Sequence, residues 1–358
     1  MKIRERYITK TLLNYTLIVL LVWLGIYGFF NFLTELNNVG TENYTILEAS
    51  KYVFLQMPEV AYDQASPVIL LGCVLGMGHL ATTGQLLIFR VAGNSILNIT
   101  WLTLKTALLF IATIIVFGEL LAPILTNYSE SSRSSALGES NLLANQNGFW
   151  IRDGDNFINV NNNINGLTGI TVIEINASNK IERVIKSDKA SFDGNSLKMN
   201  GSEIFTIGTS GTFENISFKE RNSYNKIVSF DRDLVDSLEK EPEELATWTI
   251  IKQIQFLSDN KLRSELFEVE LYKRLVKPLT LVAMILMAML FIFGSTRDAT
   301  LGKKIFFGVS LGLLFELVSR IGSSLALSLD LSPLLSSISP AIVVMGISIT
   351  LLIYKSMS

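Results

Sequence analysis

Glu316 and Arg320 stand four residues apart inside the apolar run from Ile305 to Leu327. On a helix that spacing stacks a carboxylate beneath a guanidinium, which lowers the cost of holding either charge in lipid. Such an intramembrane pair could line a polar path or contact a partner helix; the preferred reading is a self-neutralised pair near the outer interface. A second group, Lys273, Arg274 and Lys277, offers three cations at the mouth of another apolar run. Cations there either bind phosphate or anchor the helix among headgroups. A third stretch, Gly148-Phe-Trp-Ile-Arg-Asp-Gly-Asp-Asn-Phe-Ile-Asn-Val160, combines aromatics with a turn signal. Asp153-Gly154 reads as the centre of a two-residue hairpin. That turn would pair Arg152 with Asp155 and set Trp150 opposite Phe157, leaving Phe149, Ile151, Ile158 and Val160 on the other face.

Other chemistries lack their residues. The chain has one histidine, His79, and one cysteine, Cys73, too few for a His/Cys metal cluster or a disulfide within the chain. The sequence holds no G-x-x-x-x-G-K-[ST], no H-E-x-x-H and no G-x-S-x-G, so no nucleotide, zinc-hydrolase or serine-hydrolase site is expected. Accordingly no catalytic residue, metal or cofactor is assigned to this chain. Thirty basic and 32 acidic residues give a net charge of −2, without the concentrated basic face that nucleic acid would need.

The elements that must position these groups are mostly membrane helices. Hydrophobic residues make up 49% of the 358, and charged ones only 17%. Spans are expected at about Leu12–Leu33, Ser66–Ala81, Ile99–Leu121, Leu275–Phe293, Ile305–Leu327 and Leu334–Tyr354. The first follows a basic start, but it is long enough to cross a bilayer and no A-x-A-like cleavage site follows, so it is expected to be retained. Lys2, Arg4, Arg6 and Lys10, then Arg90, then Arg297, Lys303 and Lys304, then Lys355 fall on one side, the cytoplasmic one by the positive-inside rule. The opposite side receives an acidic loop with Glu35, Glu42, Glu48, Glu59 and Asp63, the polar insert, and a turn with Asp330.

The fold class is therefore an α-helical membrane protein with six transmembrane helices, three plus three, and an inserted all-β domain. Residues 1–124 form the first membrane half, 125–272 the insert, and 273–358 the second half. Short alternating runs, Phe157–Asn161, Thr171–Ile175, Ile181–Ile185, Glu203–Ile207 and Ile227–Phe230, suit a sandwich or jellyroll. A charged helix from about Ser258 is expected to run into the fourth span. Gly72-x-x-x-Gly76 and Gly308-x-x-x-Gly312 permit close helix approach, within or between subunits. Between the second and third spans, at about residues 83–93, Leu86, Leu87, Phe89, Val91 and Ala92 make a short apolar helix stopped by Gly93. Such a helix lies flat on the membrane or seats in a groove of a soluble partner.

Taken together, the sequence resembles the lipopolysaccharide export permease family LptF/LptG along nearly its whole length. The matching stretches are "TELNNVG", "LATTGQLLIFRVAGNS", "GELLAP", "LYKRLVKPL" and the basic start. Trp150, Arg152, Asp153, Gly154, Asp155 and Phe157 fit the W-x-R-D-G-D-x-F pattern of its LptG branch. The resemblance implies an ABC-type exporter in the inner membrane: an LptF-like permease partner, an LptB-like ATPase dimer that binds ATP and magnesium, and LptC-like and LptA-like jellyroll proteins that carry lipopolysaccharide onward. It implies ATPase coupling through Gln85, Leu86, Phe89, Arg90, Ala92 and Gly93, with Gln85 where the family usually has Glu. Glu35, Val39 and Gly40 match the segment where many relatives place lipid-contacting lysines. This chain has no lysine there before Lys51, so either phosphate contacts fall to Arg133, Lys273, Arg274 and Lys277 or its lipid A is less phosphorylated; Glu35, Trp150 and Phe157 are the other lipopolysaccharide contacts expected. The alternatives are the paralogous LptF role and a non-transporting ABC-type mechanotransmitter or envelope sensor. A membrane hydrolase has no nucleophile and base at motif spacing.

Overall fold

The computed structural model describes residues 3–138, 149–163, 166–176, 178, 180–193, 196–210, 213–237, 240–293, 301–329 and 331–357. Lys2, Arg297 and Asp330, three of the residues used to assign sides, lie outside these. The chain divides into two compact units: Met1–Asn37, Ala49–Glu130 and Glu265–Ser358 form a helical unit, and Asn38–Glu48 with Ser131–Ser264 form the other.

The helical unit contains α1 (Ile3–Glu35), α2 (Ile46–Asp63), α3 (Ala65–Thr82), α4 (Gln85–Val91), α5 (Ile96–Val116), a π turn (Phe117–Leu121) and the start of α6 (Ala122–Ala136). After the insert come α9 (Glu265–Ile292), α10 (Leu301–Ser328) and α11 (Pro333–Met357). Among the described residues five helical stretches are long and apolar enough to cross a membrane: α1, α3, α5 with its continuation through α6, α9 and α11. The remaining long helix, α10, occupies the place of the expected fifth span and carries Glu316 and Arg320.

Buried on nearly every side, α3 is the axis of this unit. A Cβ added at Gly72 would lie 2.7 Å from the Thr16 Cα, and one at Gly312 would lie 3.2 Å from the Pro67 Cα. Both small-residue motifs therefore serve packing within this chain, the first between α3 and α1, the second between α10 and α3. Ile69, Met77 and Leu80 of α3 share one core with Ile99 and Ile111 of α5 and Leu281, Met284, Ile285 and Met289 of α9.

The second unit is built on one antiparallel sheet in the order β1-β2-β3-β4-β5-β6. Its strands are β1 (Phe149–Asp153), β2 (Asn156–Asn163), β3 (Gly166–Ile175), β4 (Ile181–Asp193), β5 (Ser196–Ser210) and β6 (Phe213–Ile227). Two short helices follow, α7 (Arg232–Ser237) and α8 (Thr247–Asp259). Ile151, Ile158, Val172, Ile185 and Ile204 line a core closed by Val228, Phe230, Leu234, Val235 and Phe256. Alternation along the long strands changes phase at one level. In β4 the buried positions run Ile185 and Ser187, then Ala190; in β5 they run Leu197 and Met199, then Ser202 and Ile204. The break passes Gly169 (φ +61°) in β3 and Gly201 (φ +70°) in β5, with Asp188 between them in register. Glycine kinks aligned across neighbouring strands bend a sheet.

The bend is large enough to bring distant strands together. In a flat sheet β6 would lie about 19 Å from β2, four strand spacings away. Instead the Lys226 ammonium on β6 donates to Asn156 Oδ1 on β2 at 3.0 Å and pairs with Glu174 on β3. Arg183 completes the cluster on Glu174 at 3.2 Å. The sheet is thus rolled around its core.

Several sequence expectations are corrected. The hairpin turns at Gly154-Asp155, not Asp153-Gly154, so Arg152 faces Phe157 and Trp150 faces Asn159. Gly154 alone of that pair has positive φ, +60°, as a type II′ turn requires at its first central position. The stretch with Glu48, Glu59 and Asp63, read as an acidic loop, is largely the helix α2, despite Pro58 inside it. The expected strand Ile227–Phe230 is instead the end of β6 and the segment after it, where Val228 and Phe230 turn into the core. The charged helix begins at Glu265, because Lys261 (φ +55°) separates α8 from α9.

Candidate functional site

The short helix α4 joins α3 to α5. It starts after Gly84 and ends in a Schellman closure, in which Gly93 N–H donates to Arg90 O at 3.0 Å and Asn94 N–H to Phe89 O at 3.2 Å. Gly93 takes φ +83° there, and the Asn94 side chain adds a second donor to Phe89 O at 2.8 Å. Ser95 then caps α5 by accepting from Asn98 N–H. Helical phase divides the residues expected to couple to an ATPase. Leu86 plugs into the helical core at 5% exposure, Gln85 and Phe89 are partly buried, and Arg90, Ala92 and Gly93 are exposed. The apolar side chains that α4 does present outward are Leu87, Ile88 and Val91, the last at 81% exposure. None of these three is among the coupling residues expected from sequence, because the run Leu86-Leu87-Ile88-Phe89 is uniformly apolar and carries no phase.

At the opposite end of the α3/α5 hairpin the expected phosphate-binding cations are drawn into polar contacts. Arg274 Nε donates to Glu270 Oε1 at 3.0 Å, with both side chains mostly buried, and Lys273 approaches the same carboxylate at 3.6 Å. Lys277 Nζ donates to the Asp63 carbonyl at 3.0 Å and lies 5.0 Å from the centre of the Tyr62 ring. Tyr62 is buried, and its hydroxyl donates to Glu119 Oε1 at 2.6 Å. Burial and the Glu119 carboxylate both hold that hydroxyl protonated far beyond the ordinary tyrosine range. Above it, α2 is fastened along α6: Thr126 donates to Glu59, and Tyr52 and Gln56 both donate to Glu130. Asn31 on α1 joins through Gln56. The seam escaped sequence reading because α2 turns its polar face inward and leaves Leu47 and Phe54 exposed, the reverse of a soluble amphipathic helix.

The other expected sites are dispersed. Glu35 is buried at the end of α1, and Arg133 lies in the last turn of α6. Glu316 and Arg320 pair at 3.2 Å on the exposed side of α10. In the hairpin, Trp150 is 57% exposed on the face away from the core, whereas Ile151, Ile158 and Val160 point into it. Phe157 shares the outer face and carries the Arg152 guanidinium 5.7 Å from its ring centre. Register aligns Phe157, Ile173, Val184, Phe205 and Phe218 in one apolar row across β2 to β6. Lys105, exposed midway along the apolar α5 and one turn from exposed Trp101, is a charge within a candidate membrane span that carries no motif in the sequence. Among the described residues no group of three His, Cys, Asp or Glu is arranged to hold a metal.

Comparison with known proteins bears on this arrangement as a whole. Residues 6–354 match the family described as lipopolysaccharide export system permease LptF/LptG. The chain is 24% identical over 355 residues to the lipopolysaccharide export system permease protein LptG of Escherichia coli K12, covering 98% of each. To the LptG protein of Haemophilus influenzae it is 26% identical over 324 residues, 88% of each.

Proposed function

The chain belongs to the LptF/LptG family of lipopolysaccharide export permeases, and from that premise we propose how its parts divide the work. It is a membrane subunit of a lipopolysaccharide exporter and, in our reading, takes the LptG role beside an LptF-like subunit. An LptB-like ATPase dimer binds ATP and magnesium and supplies the energy, so this chain performs no catalysis of its own. All six long helices cross the inner membrane, α10 as the fifth, with both termini in the cytoplasm. The rolled sheet is the periplasmic, jellyroll-like domain, which works with LptC-like and LptA-like jellyroll proteins. Trp150 and Phe157 on its outer face, with Lys273 at the mouth of α9, are our candidates for meeting acyl chains and phosphates.

The observation that carries this reading is α4. A seven-residue helix locked by Gly93 and Asn94 and anchored by Leu86 holds Leu87, Ile88 and Val91 outward beside Arg90. An exposed apolar face beside a cation suits a groove in a soluble protein. Co-purification in mild detergent tests it. The wild-type chain is expected to bring down an ATPase and an LptF-like subunit. Leu87→Asp with Val91→Asp is expected to lose the ATPase and keep the permease partner. An intact complex whose ATPase responds to lipopolysaccharide as the wild type does would sink the coupling assignment.

A further inference from the structure

Gly118-Glu119-Leu120-Leu121-Ala122-Pro123 has so far been only a mark of resemblance. In the structure each polar or special residue in it has a physical reason. Pro123 has no N–H to donate and its ring crowds the preceding turn, and the helix answers with the wider π turn Phe117–Leu121. Gly118 faces the Tyr62 ring so closely that an added Cβ would fall 2.1 Å from Tyr62 Cδ2. Glu119, next along the turn, accepts the Tyr62 hydroxyl at 2.6 Å. Tyr62 in turn lies beneath Lys277 of α9, which also holds the adjacent Asp63 carbonyl. Three segments therefore meet at one node: the corner between α2 and α3, the π turn on α5, and α9.

Its position gives the node a consequence. Both α3 and α5 are tied to α4 at one end, and the node ties their other ends to each other and to α9. A displacement of α4 travels along α3, a rod of about 27 Å. It reaches α9 in step with α5 only if those far ends are fixed. We propose that Tyr62 and Glu119 are positioning residues that lock the α3/α5 hairpin, so that movement imposed at α4 becomes movement of α9 rather than slippage between helices. This rests on the ATP-driven export proposed above.

The test uses the assembled complex in vesicles, with ATP hydrolysis and lipopolysaccharide transfer to a soluble acceptor measured together. Tyr62→Phe removes one oxygen and Glu119→Gln one charge; neither touches α4. Each is expected to leave ATP turnover near wild type while transfer per ATP falls, for Tyr62→Phe by roughly ten- to a hundredfold, the scale of a lost bond to a charged group, and for Glu119→Gln by less. Glu119→Gln keeps an acceptor for the Tyr62 hydroxyl, whereas Tyr62→Phe leaves nothing to accept, so the double variant is expected to be no worse than Tyr62→Phe alone. Gly118→Ala, which displaces the Tyr62 ring without altering a polar group, is expected to uncouple in the same way. Unchanged transfer per ATP overturns the proposal, as does a parallel fall of hydrolysis and transfer. Absence of transfer by the wild-type complex would instead overturn the export reading.

Discussion

Leu86 and Val91 differ by five positions on one short helix and by most of the range of burial. Leu86→Ala opens a cavity in the helical core and is expected to cost about 2–5 kcal/mol. Val91→Ala removes an exposed methyl pair and is expected to stay within about 0.5 kcal/mol. Thermal unfolding in detergent separates the two, and the assignment of phase fails if Val91→Ala is the more damaging. The four-residue apolar run disclosed the existence of α4 but not its phase, since no polar residue interrupts it before Arg90. Tyr62 was equally silent, because a buried tyrosine announces itself only through its partner 57 residues away. Its hydroxyl has a pH signature. The raised proton affinity favours folding fully below the ordinary tyrosine value of 10.0, and that contribution is lost as pH climbs above it. Absorbance near the phenolate band should show exposed tyrosines ionising first while Tyr62 holds its proton, and Tyr62→Phe should leave the early part of that titration unchanged.

At the scale of elements, the β1–β2 hairpin shows why a turn can be legible and its position not. Asp153-Gly154 and Gly154-Asp155 are both acceptable turn pairs locally. Tertiary bonds choose between them. Asp153 is held outside the turn because its carboxylate accepts the Ser229 backbone N–H and hydroxyl, while Gly154 N–H donates to Asn260 Oδ1 at 2.6 Å. The apolar faces were still assigned correctly as sets, since moving the turn by one residue changes the pairing sum by two and preserves alternation. Asp153→Ala should release the hairpin from the segment after β6 at a cost of about 1–3 kcal/mol. Amide exchange in β1 and β2 should then accelerate while helices α9 and α11 keep their protection. Uniform acceleration throughout the chain would deny the clasp a local role. Strand β6 was missed for a different reason. Its Lys219-Glu220-Arg221 centre breaks the apolar alternation, as expected of the last strand of a sheet. The roll itself depends on glycines at matching levels of β3 and β5, a relation that exists only once register is known.

For the whole molecule, the distribution of charge makes a prediction that the helices alone do not. Basic residues gather at the start of α1, at Arg90 in α4, at the start of α10 and at Lys355 near the end of α11. If these ends share the cytoplasm, each long helix must reverse the direction of the last, and the rolled sheet must emerge on the far side. Cysteine labelling in intact cells tests that directly, because the natural Cys73 is 2% exposed and should stay silent. A cysteine replacing Asn222, exposed on β6, should react with a membrane-impermeant maleimide from outside, once the outer membrane is made porous. One replacing Val91 should react only after the inner membrane is opened. The reverse pattern would invert the topology and contradict the proposed contact of α4 with a cytoplasmic ATPase. Reaction of both from outside would mean that an even number of crossings separates α4 from the insert, and α5 would then not cross. The expected pattern alone puts α4 and the insert on opposite sides of the membrane, as the proposed export requires.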